Sequence, residues 1–134
     1  MRDDEYGTLS PASGSSGSIY RAAYAHLTAR DPAAALALVD PALEQSPEDR
    51  GLRSLRAWAF LMRAQLQRAE AELLTLVADD PADAWARHAL GRALERQSRP
   101  SEALPHLRLA AAMTGDAVHE AVVRRVEASL AADR

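Results

Sequence analysis

Residues 82–110 read ADAWARHALGRALERQSRPSEALPHLRLA. Ala, Leu, Arg and Glu dominate, all good helix formers, and the apolar residues recur at three-to-four spacing. Gln97–Pro100 interrupts them, so the stretch predicts two helices back to back. Weaker copies lie upstream. Pro47 and Pro81 are 34 residues apart, and Gly115 is 34 further on. Ala35, Ala69 and Ala103 share that register, as do Val39, Leu73 and Leu107, and Ala42, Leu76 and Ala110. Small residues recur where two helices approach closely, and large ones where a gap must be filled. A fixed period near 34 with a helix–turn–helix in each unit is the pattern of a stacked array, in which neighbours bury what one pair cannot.

Reading outward, the 134-residue chain is long enough for one domain with an ordinary core. Val and Ile are few, nothing alternates with period two, and an all-α chain of seven helices is expected. The first starts at Ile19-Tyr20 and ends near Arg30. Asp31-Pro32 opens the second, with Asp as N-cap and Pro at the first helical position. Pro41 predicts a kink there, or a short helix followed by a turn. Ser46-Pro47-Glu48-Asp49 and Asp80-Pro81-Ala82-Asp83 read as further starts, capped by their first residue. Ala64–Gln67 is a weak break without Gly or Pro. Thr114-Gly115 is a stop, Asp116 caps the last helix, and Val118, Val122, Val126 and Leu130 run along it at four-residue spacing.

The copies resemble the tetratricopeptide-repeat (TPR) family. Leu90-Gly91, Leu94, Ala103, Leu107 and Ala110 match its pattern in the third copy. Phe60, Ala69, Leu73 and Pro81 match in the second, and Ala35, Val39, Ala42 and Pro47 in the first. Arg56 departs from it, standing where Leu is usual, as does His26, where a bulky residue is usual. The resemblance implies a right-handed array of antiparallel helix pairs: three repeats over residues 18–115, with 116–134 as a C-terminal capping helix.

It also implies a concave groove lined by the first helix of each pair. Copy by copy, that groove would comprise Tyr20, Arg21, Tyr24 and Leu27; Leu55, Trp58, Leu61 and Met62; then Trp85, His88, Arg92 and Arg96. The series runs from aromatic to apolar to basic, which suits a partner segment with apolar and acidic parts. The competing reading makes Trp58, Leu61 and Met62 core, and Arg92 and Arg96 a solvated face paired with Glu95 or Glu102. The carboxylate clamp of chaperone-binding TPR proteins uses Lys and Asn, and this chain has neither; Tyr20/Tyr24, Ser54/Trp58 and His88/Arg92 hold those places.

Other classes find little support. With no Cys there are no disulfides and no thiolate chemistry. His26, His88, His106 and His119 make no H-E-x-x-H pair, and no G-x-S-x-G or G-K-[ST] occurs, so no catalysis, metal or cofactor is expected. A net charge of −3 gives no overall pull toward nucleic acid or anionic membrane. An acidic first copy (Asp31, Asp40, Glu44, Glu48, Asp49) and a basic third (Arg87, Arg92, Arg96, Arg99, Arg108) leave head-to-tail self-association as a second reading. Residues 1–17, acidic and then Ser/Gly-rich, lack the apolar run of a signal peptide and read as a flexible tail on a cytoplasmic protein.

Overall fold

A computed structural model describes Glu5 and residues 17–133. Seven helices follow in order: α1 (Gly17–Thr28), α2 (Pro32–Gln45), α3 (Arg50–Met62), α4 (Leu66–Asp79), α5 (Ala84–Arg96), α6 (Pro100–Thr114) and α7 (Ala117–Ala132). No strand occurs among the described residues. Each helix packs on the next, and α3 also meets both α1 and α5, as an array of stacked pairs requires. Of the tail expected over 1–17, all but Glu5 and Gly17 lies outside the described residues.

The repeat register is the packing register. Ala35, Ala69 and Ala103 are buried where first and second helices approach, and Val39, Leu73 and Leu107 are buried beside them. The closest approach is between α5 and α6. A Cβ placed on Gly91 would lie 2.5 Å from Cγ and Cδ2 of Leu107 and 3.3 Å from the Ala103 carbonyl oxygen. Only glycine fits there without displacing α6.

The turns inside the repeats share one backbone device. Arg30, Ala64 and Ser98, spaced by 34, adopt φ of 61°, 57° and 62°. In each, the residue itself donates back to the helix (Arg30 to Leu27, Ala64 to Leu61, Ser98 to Glu95), and the next residue donates one step further (Asp31 to His26, Gln65 to Phe60, Arg99 to Leu94). This paired closure satisfies carbonyls that a helix end leaves open. It explains why the Ala64–Gln67 break carries no glycine: the left-handed residue is alanine, held by two hydrogen bonds. A left-handed L-residue costs about 1–2 kcal/mol. Ala64→Gly is therefore expected to stabilise the protein by about 0.5–1 kcal/mol, after the extra freedom glycine gives the unfolded chain. A raised urea midpoint at unchanged slope checks it.

Three local expectations change. Ser46 and Asp80 do not cap the helices that follow them. They close the helices that precede them, donating to Ala42 and Leu76, and the caps are Asp49 and Asp83, whose carboxylates accept from Leu52 and Ala86. The prolines sit in the turn, and the acidic fourth residue is the cap. Pro41 lies inside a continuous α2. Both Ala37 and Pro41 are exposed, so the carbonyl that proline leaves without its usual donor is open to water. The Asp31, Asp116 and Gly115 signals behave as expected: both aspartates cap, and Gly115 is left-handed.

Arg56, which departs from the repeat pattern, joins an ionic cluster instead of the core. It pairs with Glu72 at 2.9 Å and approaches Asp40 at 4.0 Å. Arg53, buried one turn earlier, reaches Glu72 (3.3 Å), Thr75 (2.5 Å) and Asp79 (3.3 Å) along one face of α4.

Candidate functional site

The first helices carry an aromatic strip on α1 and α3 and a basic pocket on α5. Four-residue spacing puts Tyr20 and Tyr24 on one face of α1. Their rings stack at 6.2 Å, and Tyr24 meets Trp58 of α3 edge-on at 5.6 Å. Tyr20 and Trp58 are buried, while Tyr24 and Met62 are half-buried. Burial raises the Tyr20 hydroxyl above its ordinary pKa, with Tyr24 and Asp49 adding to the effect. Leu27, Leu55 and Leu61 are fully buried in the core. Arg21 is exposed. Arg96 donates from Nη1 to the Leu61 carbonyl at 2.9 Å, placing its charge at the C-terminal end of α3.

At the third repeat, Trp85 and His88 are buried and Arg92 is half-buried. The His88 ring stacks on His119 of α7, with centroids 3.9 Å apart and planes 9° from parallel. Between them and Arg92 lies the carboxylate of Glu5. His88 Nε2 donates to it at 2.5 Å and Arg92 Nε at 2.7 Å. Glu95 carries the arrangement across to α7: it accepts from Arg92 Nη1 at 2.6 Å and from Arg125 Nη2 at 3.1 Å.

The protonation states follow from these contacts. Burial alone would raise the Glu5 carboxyl, but the His88 hydrogen bond and the charges of Arg92 and His88 outweigh it and hold Glu5 ionised, below the usual carboxylate range. Glu95 behaves alike: burial opposes its charge, and hydrogen bonds from Arg125 and Arg92 prevail. His119 is pushed down by burial and by the neighbouring His88, against smaller opposing effects from Asp116 and Glu5.

A cavity of about 430 Å³ opens beside Glu5, bounded by Arg92 and Arg125 and floored by Val118 and Val122. A second concavity, about 800 Å³, is lined by residues of α2, α3 and the start of α4. No three His, Asp or Glu side chains among the described residues are grouped to hold a metal ion.

Of the groove residues expected from the sequence, the structure brings Tyr20, Tyr24 and Trp58 into one strip, and His88 and Arg92 into one pocket. Glu5 and His119 were not anticipated. The complementary charges of the acidic N-terminus and the basic third copy were the available signal for Glu5. His119 is visible only through the fold, which lays α7 beside α5.

The family model for the tetratricopeptide repeat matches residues 26–84. Over those residues the chain is similar to the tetratricopeptide repeat. The TPR fold extends beyond that segment: the structure is similar to the NMR structure of the first TPR domain of the human RPAP3 protein, with a TM-score of 0.77, covering 85% of this chain and 91% of that one at 16% identity. No curated protein matches the chain by sequence. No helix among the described residues is long and apolar enough to cross a membrane.

Proposed function

We propose that the protein is a non-catalytic, cytoplasmic adaptor or chaperone that binds a partner segment along the first helices of its three repeats, residues 18–115, with residues 116–134 as the cap. The observation that carries this reading is the pairing, on the first helices, of an aromatic Tyr20–Tyr24–Trp58 cluster on α1 and α3 with a cationic His88–Arg92 pocket on α5. Such a surface suits a segment with an apolar part and an acidic part, since aromatic residues and Arg supply most of the energy at interfaces. Leu27, Leu55 and Leu61 support the strip from beneath, and the accessible contributions come from Tyr24, Met62, Arg21 and Arg92.

The end-to-end alternative is less favoured, because the third-repeat arginines are engaged within the chain. Arg99 pairs with Glu70 and Glu102, Arg108 with Glu127, and Arg87 with the Pro81 carbonyl and His106. The charges of Arg99 and Arg108 are thus largely offset before a second copy approaches.

Affinity capture from the native host tests the groove, with wild type and a Tyr24→Ala/Met62→Ala double variant. Both residues are half-buried, so the variant is expected to fold and to lose its principal partner about tenfold or more, as hot-spot truncations of about 1.4 kcal/mol or more do. Equal capture of the same partner by the folded variant removes the groove from consideration.

A further inference from the structure

The Glu5 carboxylate sits in a site built from α5 and α7, 83 residues away from His88 in the chain. Burying a carboxylate is costly unless charge-assisted hydrogen bonds replace its water. His88 and Arg92 supply two such bonds to the side chain, and His119 stacks behind the His88 ring. The walls are positioned independently of Glu5: the histidine rings stack on each other, and Glu95 ties Arg92 to Arg125. The adjoining cavity, floored by Val118 and Val122, has room for a neighbouring apolar side chain. These features describe a receptor for an acidic residue beside an aliphatic one. We propose that Glu5 occupies this receptor in cis as a stand-in for the acidic residue of a partner segment, and that the partner binds the third repeat by displacing it.

The proposal rests on the groove reading and specifies how the groove is regulated. Glu5 lies 12 residues ahead of Gly17, the first residue of α1. As part of the same chain, Glu5 competes intramolecularly with any partner for the site. A site mostly filled in cis shows a partner an affinity reduced by the unfilled fraction. Weak acidic segments are then excluded, and a partner that also engages the aromatic strip prevails.

The full-length protein and its Glu5→Gln variant are compared, with a fluorescein-labelled peptide of residues 1–9, MRDDEYGTL, as probe. Two measurements are made: imidazole nitrogen shifts of His88 and His119, and probe binding by fluorescence polarisation. In the variant the imidazole signals are expected to move, independently of protein concentration. The probe should bind the variant about tenfold more tightly than wild type, the size expected for one charge-assisted contact. A probe carrying glutamine at its fifth position should lose that gain. Unmoved imidazole signals overturn the contact, and signals that change with protein concentration assign the carboxylate to a second copy. Moved signals with equal probe affinity make Glu5 a fixed part of the fold and overturn displacement. Failure of the groove itself shows separately, in the Tyr24→Ala/Met62→Ala capture.

Discussion

Trp58→Ala is expected to destabilise the protein by about 3–5 kcal/mol, the cost typical of deleting a large buried aromatic. Only 2% of Trp58 is exposed, and the residue joins α3 to α1 through its edge contact with Tyr24. Removing the indole leaves a void lined by helices of two different repeats, which cannot close without shifting one on the other. Against a whole-domain stability of about 5–15 kcal/mol, such a loss brings the array near unfolding. Urea unfolding followed by circular dichroism measures it, and Trp58→Phe, which keeps a ring in place, should recover more than half of the loss. A cost below about 1 kcal/mol would place the indole at an open surface. The same reasoning explains why the groove is tested through Tyr24 and Met62: a defect in Trp58→Ala would confound recognition with folding.

Glu72→Ala is the second large effect, about 3 kcal/mol of destabilisation. Arg53 is a buried cation, with its side chain 10% exposed, and Glu72 is its most enclosed carboxylate partner, also neutralising Arg56. Removing one member of a buried pair strands the other, at about 3–5 kcal/mol. The lower end applies because Asp79 and Thr75 remain in reach of Arg53. The apolar replacement Arg53→Met/Glu72→Leu should be milder than the single change, since the buried Arg53 charge leaves with its partner and only the half-buried Arg56 loses Glu72. If Glu72→Ala costs no more than an exposed pair, under about 1 kcal/mol, the cluster is solvated and α3 is held to α4 by apolar contacts alone.

The architecture was legible because its evidence is redundant. Three registers of small and large residues repeat at the same interval, and all their members are buried except Ala42, which is half-buried. Signals resting on side-chain chemistry at a single position also survived, as at Asp31, Asp116 and Gly115. Those resting on residue identity without backbone geometry did not. Ser46 and Asp80 look like caps, yet close the preceding helix, because the chain needs a turn before Asp49 and Asp83 can cap the next. The turn at Ala64 was faint because alanine occupies a conformation that usually announces itself as glycine. For the site, spacing brought out Tyr20, Tyr24, His88 and Arg92, since residues four apart share a helical face. Spacing could not distinguish Leu55 and Leu61, now buried in the core, from residues that meet a partner. Nothing local could join Glu5 to His88, because that contact depends on the placement of α5 and α7.

The left-handed residues Arg30, Ala64 and Ser98 offer a use apart from stability. All three are exposed, occupy equivalent places in successive repeats and differ in side chain, so the position tolerates substitution. The chain has no cysteine. A single cysteine introduced at any of them would be the sole thiol, and pairs would carry donor and acceptor dyes at matched sites along the array. These turns thus form a built-in ruler, able to report whether the superhelix opens or tightens as a partner settles into it.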